Sequence, residues 1–365
     1  MPFGQKFDLL IAGGGPAGSS AAIAGARAGA RVLLLDRGRF PRHKVCGEFL
    51  SPEGLAQLRS IAPSFENSLF RDAPRIARAR IFVDSTRAEV PIDPPGASIT
   101  RYQLDHALWR AAEAHQVTCR QRVVVEDITG PGPFTVATSA GNLEARAVIV
   151  AAGRWSNLHH HAQEQGPEKW VGLKAHYLET RPSLSVDLFF FNGGYCGVQP
   201  ICRDRVNVCA MVRADAATTI EQVIALHPEL ERRSHEWLQI SPPVSTAPLV
   251  FNQPVAEEGG IFYVGDAAGF IDPFVGDGIS IAMRTGTMAA NALSEFWSGG
   301  IALKVAADRY RERYQQEILP LFRNAFLLRK ILSLPAALRR PLIGVLHAAP
   351  FARFLAMTTR GAVEA

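Results

Sequence analysis

A chain of 365 residues with a hydrophobic fraction of 47%, a charged fraction of 20% and a net charge of +5 exceeds one small domain. It reads as a globular protein of two domains or one elaborated α/β unit. These values exclude a disordered or fibrous chain, and no internal repeat or low-complexity tract is evident. The five cysteines, Cys46, Cys119, Cys196, Cys202 and Cys209, form no C-x-x-C pair and no zinc-like spacing, so reduced thiols are expected.

In chain order, residues 7–37, FDLLIAGGGPAGSSAAIAGARAGARVLLLDR, predict a strand, a tight turn, an Ala-rich helix and a parallel strand ending on Asp36. The G-x-G-x-x-G of Gly13, Gly15 and Gly18, with Pro16 and Ala17 inside it, falls at the first strand-to-helix junction. Gly13 permits the turn, Gly15 lets a pyrophosphate approach the backbone, and Gly18 lets the helix lie close on the strand. The helix start offers unpaired N–H groups to phosphate, and Asp36 can accept hydrogen bonds from a ribose. From this stretch alone NAD and FAD are equally admissible. Its apolar run is a nucleotide-binding strand and not a signal peptide, so a cytoplasmic location is expected.

A loop rich in cations follows, Arg37, Arg39, Arg42, His43 and Lys44 among them, and leads to a helix capped by Ser51 with Pro52 at its first position. Residues 75–91 alternate as two short strands that could pair as a hairpin. Arg101 precedes a helix with Leu104, Ala107, Leu108 and Ala111 on one face. Residues 169–254 are short alternating runs separated by Gly, Pro and charged turns, which predict a largely antiparallel sheet. Within them Glu221 to Ile240 has helical period, with Val223, Leu226 and Leu230 as its stripe. An α/β pattern returns at GIFYVGDAAGFIDPFVGDGISIAMRTGTM: a buried strand, a glycine-rich loop and a long helix beginning near Gly276.

From Lys304 on the pattern is helical, and Pro320, Pro335, Pro341 and Pro350 divide it into segments too short to cross a bilayer. Arg323, Arg329, Lys330, Arg339, Arg340, Arg353 and Arg360 stand there against Glu364 alone. Such a basic, apolar tail suits a membrane surface or a lipophilic substrate better than nucleic acid, for which no motif is present; helices packed on the body are the plain alternative. His159, His160 and His161 are consecutive and cannot converge on one ion, so no metal site is expected.

Three segments, GGGPAG with Asp36, PRHKVCGEFLSPEG, and VGDAAGFIDPFVGDGI, together resemble the flavoprotein superfamily of aromatic-ring hydroxylases, in particular its geranylgeranyl-reductase-like and flavin-halogenase branch. The resemblance implies FAD and a Rossmann-like FAD-binding domain (1–74, 101–157 and 262–300) interrupted by a mostly antiparallel substrate domain (75–100 and 158–261). A C-terminal helical segment, 301–365, completes this α/β (α+β overall) arrangement. Carried over, Asp266 beside Gly265 resembles the aspartate that binds the ribityl chain. Pro273, Gly276, Gly278 and Ile279 match the turn and helix start beside the flavin pyrimidine edge. Arg101 resembles an arginine that reaches the cofactor, with Arg37 and Gly47 also near it. Cys46 occupies the family's cysteine position close to flavin and substrate, with a buried small hydrophobe as its plain reading and Lys44 as the cation expected to activate it.

Two departures stand out: Gly197 in GYCGVQP replaces a usual tryptophan, and AAGRWS lacks the aspartate common in hydroxylases. The double-tryptophan signature of halogenases is absent. The expected activity is FAD-dependent reduction of a hydrophobic isoprenoid or polyketide-like substrate. The expected reductant of the flavin is NAD(P)H or another donor; no second dinucleotide fingerprint is present, so a nicotinamide coenzyme would bind transiently in a shared cleft. An FAD-dependent monooxygenase is the alternative, and a non-catalytic FAD-binding protein the remaining one.

Overall fold

The computed structural model describes residues 6–65, 69–83, 86–154, 158 and 168–332. His159 to His161 and the tail after residue 332, with most of its arginines, lie outside the described residues. Two sheets organise the rest.

The first sheet is built on Phe7–Ala12, which pairs in parallel with Val32–Asp36 on one side and with Leu143–Val150 on the other. Thr118–Gln121 and Ile261–Tyr263 extend it at the two ends, again in parallel. Every residue of Val32–Asp36 is buried, as a parallel strand covered on both faces requires. The crossover helix Pro16–Arg27 packs against Gly278–Ala292 and Arg101–Ala114. Leu104, Leu108 and Ala111 are buried as their spacing predicts, and Trp109 joins them.

In the second, nine-stranded sheet, Trp170–Leu178, Arg205–Arg213, Gly194–Cys202 and Val186–Phe191 run antiparallel in that spatial order. Val186–Phe191 then pairs in parallel with Arg75–Val83, the first arm of the expected hairpin; Thr86–Ser98 is the second. The strands alternate cleanly. Cys196 and Val198 point into a core capped by the helices Ile220–Ala225 and Pro228–Ser234, whereas Tyr195, Gly197 and Gln199 face the first sheet.

The segment expected as one helical stretch from Glu221 to Ile240 is divided. Pro228 has no N–H and disfavours helix at His227, so a second helix starts there, its first turn capped by His227 Nδ1 accepting from Glu229 N at 3.2 Å. Leu238–Gln239 is strand. Val223 and Leu230 are nonetheless fully buried on the sheet. The last described helices, Leu303–Glu317 and Leu319–Leu332, lie beside the first sheet, and Tyr310 Oη donates to Tyr263 O at 2.7 Å. No helix among the described residues is long and apolar enough to cross a membrane.

Candidate functional site

A cavity of about 620 Å³ lies between the two sheets. Gly13, Gly15, Pro16, Ala17, Asp36, Arg37, Cys46, Gly47, Arg101, Asp266, Pro273, Gly276, Gly278 and Ile279 all line it. Gly18 and Gly265 do not, although their neighbours do.

The reasons for the glycines differ. Gly13 has φ of +112°, and a Cβ there would stand 2.3 Å from Ala151 O. A Cβ on Gly18 would stand 1.7 Å from Gly13 O, so this glycine sets the contact of helix on strand. Gly15 faces open space, its nearest neighbour being Arg101 Nη2 at 3.9 Å. It is also the N-cap of Pro16–Arg27 and provides no side-chain cap, so the free N–H groups of the first turn face the cavity. The start of Gly278–Ala292 is arranged alike: Asp277 gives no cap and instead accepts from Ser51 Oγ at 2.8 Å. Two positive helix ends thus open into one cavity, a donor set suited to a pyrophosphate at one end and to an anionic ring at the other. That is the chemistry FAD requires.

Asp36 departs from expectation. Its Oδ2 accepts from Gly14 N at 2.8 Å and its Oδ1 from Gly38 N at 2.7 Å, while Arg42 engages both oxygens. Burial opposes the charge, but Arg42 and the two amides hold the carboxyl below its ordinary value. Asp36 still lines the cavity, and Arg42's guanidinium in turn rests on the Phe40 ring at 4.5 Å from its centroid. The sequence offers no sign of this, because Arg42 sits in a loop whose path only the fold decides.

Two cations, Lys44 and Arg101, line the cavity together with Cys46. Arg101 grips Asp105 with Nε at 2.6 Å and Nη2 at 2.8 Å. Burial works against its charge, and Asp105 and Cys46 more than restore it. Lys44 is pushed down to about 8 by burial and by the charges of Arg101 and Arg42.

Sequence reasoning missed the groups behind this loop. Glu48, fully buried, receives Arg101 N at 2.8 Å and His176 Nε2 at 2.9 Å and pairs with Lys174 Nζ. Burial raises its carboxyl, but His176 and Lys174 lower it further. Lys174 was a detectable signal: one lysine inside the apolar run WVGLKAHYL has to find a buried anion.

The opposite wall is apolar, formed by Val186, Leu188, Met211, Leu249, Phe270 and Phe274. Burial raises Tyr195 well above its ordinary range, and its ring meets Phe274 edge-on at 6.0 Å. A Cβ at Gly197 would touch only Leu188 Cδ2 at 3.4 Å and Cys209 O at 3.7 Å, so the wall is hollow where the family usually carries tryptophan. Beneath the Pro273–Val275 turn, Asp272 is buried. Its Oδ1 accepts from Phe274 N at 3.4 Å, and its Oδ2 lies 3.7 Å from Arg329 Nε. Burial pushes Asp272 up to about 7. No cluster of metal-binding side chains occurs among the described residues.

Residues 92–292 match the model of a family described as FAD dependent oxidoreductase, and residues 8–41 match a second of the same description. With more than half of it matched, the chain belongs to the FAD-dependent oxidoreductases. Within them it is geranylgeranyl-reductase-like, as its three motifs imply. The menaquinone reductase of Mycobacterium tuberculosis is 29% identical over 341 residues, 85% of this chain and 82% of that protein. A digeranylgeranylglycerophospholipid reductase 2 of Methanopyrus kandleri is 28% identical over 354 residues, 90% of this chain and 87% of that one. The fold matches the flavin-dependent brominase Bmp2 with a TM-score of 0.80 at 21% identity, over 96% of this chain and 94% of that one. It also matches a geranylgeranyl bacteriochlorophyll reductase-like protein from Thermoplasma acidophilum with a TM-score of 0.77 at 19% identity, over 94% of this chain and 92% of that one.

Proposed function

We propose that this FAD-dependent oxidoreductase reduces a hydrophobic substrate of isoprenoid or polyketide-like character, with NAD(P)H as a transient reductant. The observation that carries the reading is one cavity with two uncapped helix starts on one side, an apolar sheet wall on the other, and Cys46 lining it. When bound, FAD supplies the hydride chemistry.

The chain's residues do the remaining work. Gly13, Gly15, Pro16 and Ala17 receive the pyrophosphate, with Gly18 fixing the helix that presents them. Asp36 and Arg37 stand at the adenosine end. Asp266, exposed by the Gly265 turn, accepts hydrogen bonds from sugar-like hydroxyls. Pro273, Gly276, Gly278 and Ile279 place a positive helix end where negative charge develops. Arg101 and Gly47 complete the cofactor side, and Cys46 is the catalytic candidate at the junction. The second-sheet wall excludes water, and Tyr195 keeps its proton at Oη because it is buried. On this reading residues 1–74, 101–157 and 262–300 hold the cofactor, and 75–100 with 158–261 hold the substrate.

Phe326 and Leu327 are exposed beside Arg323 and Lys330 on the last described helix, which supports contact with a lipid surface. Relatives named for menaquinone and for a prenylated phospholipid support the lipophilic substrate. The hollow at Gly197 gives the monooxygenase reading its specific support, since the wall departs there from the reductase pattern. The two separate on turnover with reduced nicotinamide coenzyme and a prenylated quinone or a prenyl lipid, under air and under nitrogen. Equal product in both gases is expected; product that needs oxygen overturns the reductase.

A further inference from the structure

The loop Lys44 to Glu48 belongs in sequence to the cofactor half, yet its polar atoms are held by the second sheet. Lys44 O accepts from Lys174 Nζ at 3.2 Å. Cys46 O and Gly47 O accept from the single side-chain amide of Asn207 at 3.0 and 2.8 Å. Both carboxylate oxygens of Glu48 are taken, one by Lys174 and Arg101 N and the other by His176. Glu48 itself has φ of 61°, in the left-handed region that residues with a Cβ avoid and that glutamate has no local hydrogen bond to favour. In that conformation its N–H points back at Cys46 Sγ, 3.3 Å away.

We propose that Glu48 is a positioning residue for Cys46: its buried side chain anchors its own backbone in the left-handed conformation, which holds the Cys46 sulfur in place at the cavity. The inference rests on the reading of Cys46 as the residue at the reacting centre. Three partners from two elements are needed because a single hydrogen bond would not hold an unfavoured backbone while a charge stays buried. A buried ion pair with no role beyond stability would need neither the left-handed turn nor its N–H on the sulfur.

The test is site-resolved alkylation of the full chain by iodoacetamide, each cysteine followed by peptide mass spectrometry and flavin content read separately at 450 nm. In Glu48→Ala and Glu48→Val, which lose the anchor but keep a Cβ, the turn opens, and Cys46 is expected to react about fivefold faster than in the parent, with Cys202 and Cys119 unchanged. Glu48→Gln keeps an acceptor for Arg101 N and Lys174 and can donate to His176 in its Nδ1–H tautomer, and is expected to restore the parental rate within about twofold. If the first two variants do not fold, Lys174→Met removes one anchor and is expected to speed Cys46 alone by about twofold. Parental Cys46 rates in the folded variants, or equal acceleration of every cysteine, would overturn the proposal. A parent that carries no flavin would instead overturn the cofactor reading, while the alkylation pattern still judges Glu48.

Discussion

Replacing Asp272 by asparagine is expected to change how stability depends on pH. Burial pushes the Asp272 carboxyl up to about 7, from an ordinary value of 3.8, against the counteracting charge of Arg329. Between these two values the folded protein keeps a proton that the unfolded chain has released, so the folded state binds more protons. Stability from this group is therefore fully present below the unfolded value and is lost as pH rises towards 7. A gap of about three units corresponds to about 4 kcal/mol between pH 4 and pH 7. Asparagine keeps an oxygen for Phe274 N and cannot ionise, so Asp272→Asn should match the parent near pH 4 and exceed it progressively up to pH 7. Urea unfolding of both proteins at intervals of one pH unit measures this. A difference between them that stays constant from pH 4 to pH 8 would refute the reasoning.

Three further outcomes follow from the same geometry. Gly18→Ala drives a methyl into Gly13 O and should cost about 3 kcal/mol, seen as a lower urea midpoint and a loss of flavin; an unchanged midpoint would contradict the packing described. Gly197→Trp should fill the hollow in the apolar wall, leaving flavin content intact while turnover of a prenylated substrate falls about tenfold, which steady-state kinetics would show. Asp266→Ala should give folded protein that purifies colourless, and a full yellow spectrum would remove Asp266 from the cofactor side.

The first sheet was legible from residues 7–37 because each local signal there agrees: apolar strand, glycine turn, Ala-rich helix, second strand and terminal acid. The need for glycine at the turn and at the helix contact was legible for the same reason, since Gly13 and Gly18 leave no room for a side chain. What sequence could not show were contacts between distant segments. Lys174, His176 and Asn207 reaching into the Cys46 loop depend on how the second sheet docks on the first, while Arg42, only six residues from Asp36, folds back over it along a loop path that no local pattern specifies. Lys44 is the nearest cation to Cys46 in sequence, and the helix start at Arg101 brings a second one, far away in the chain, to the same cavity. The single helix expected over residues 221–240 failed for a local reason that was readable: a proline at 228.

The central claim, that one cavity brings FAD and a lipophilic substrate together for reduction, is tested most directly by a stopped-flow experiment under nitrogen. Protein whose flavin has been chemically reduced is mixed with a prenylated quinone or a prenyl lipid, and the absorbance at 450 nm is followed. The account predicts that the yellow colour returns with the substrate alone, in proportion to reduced product. Colour that returns only when oxygen is admitted would contradict it.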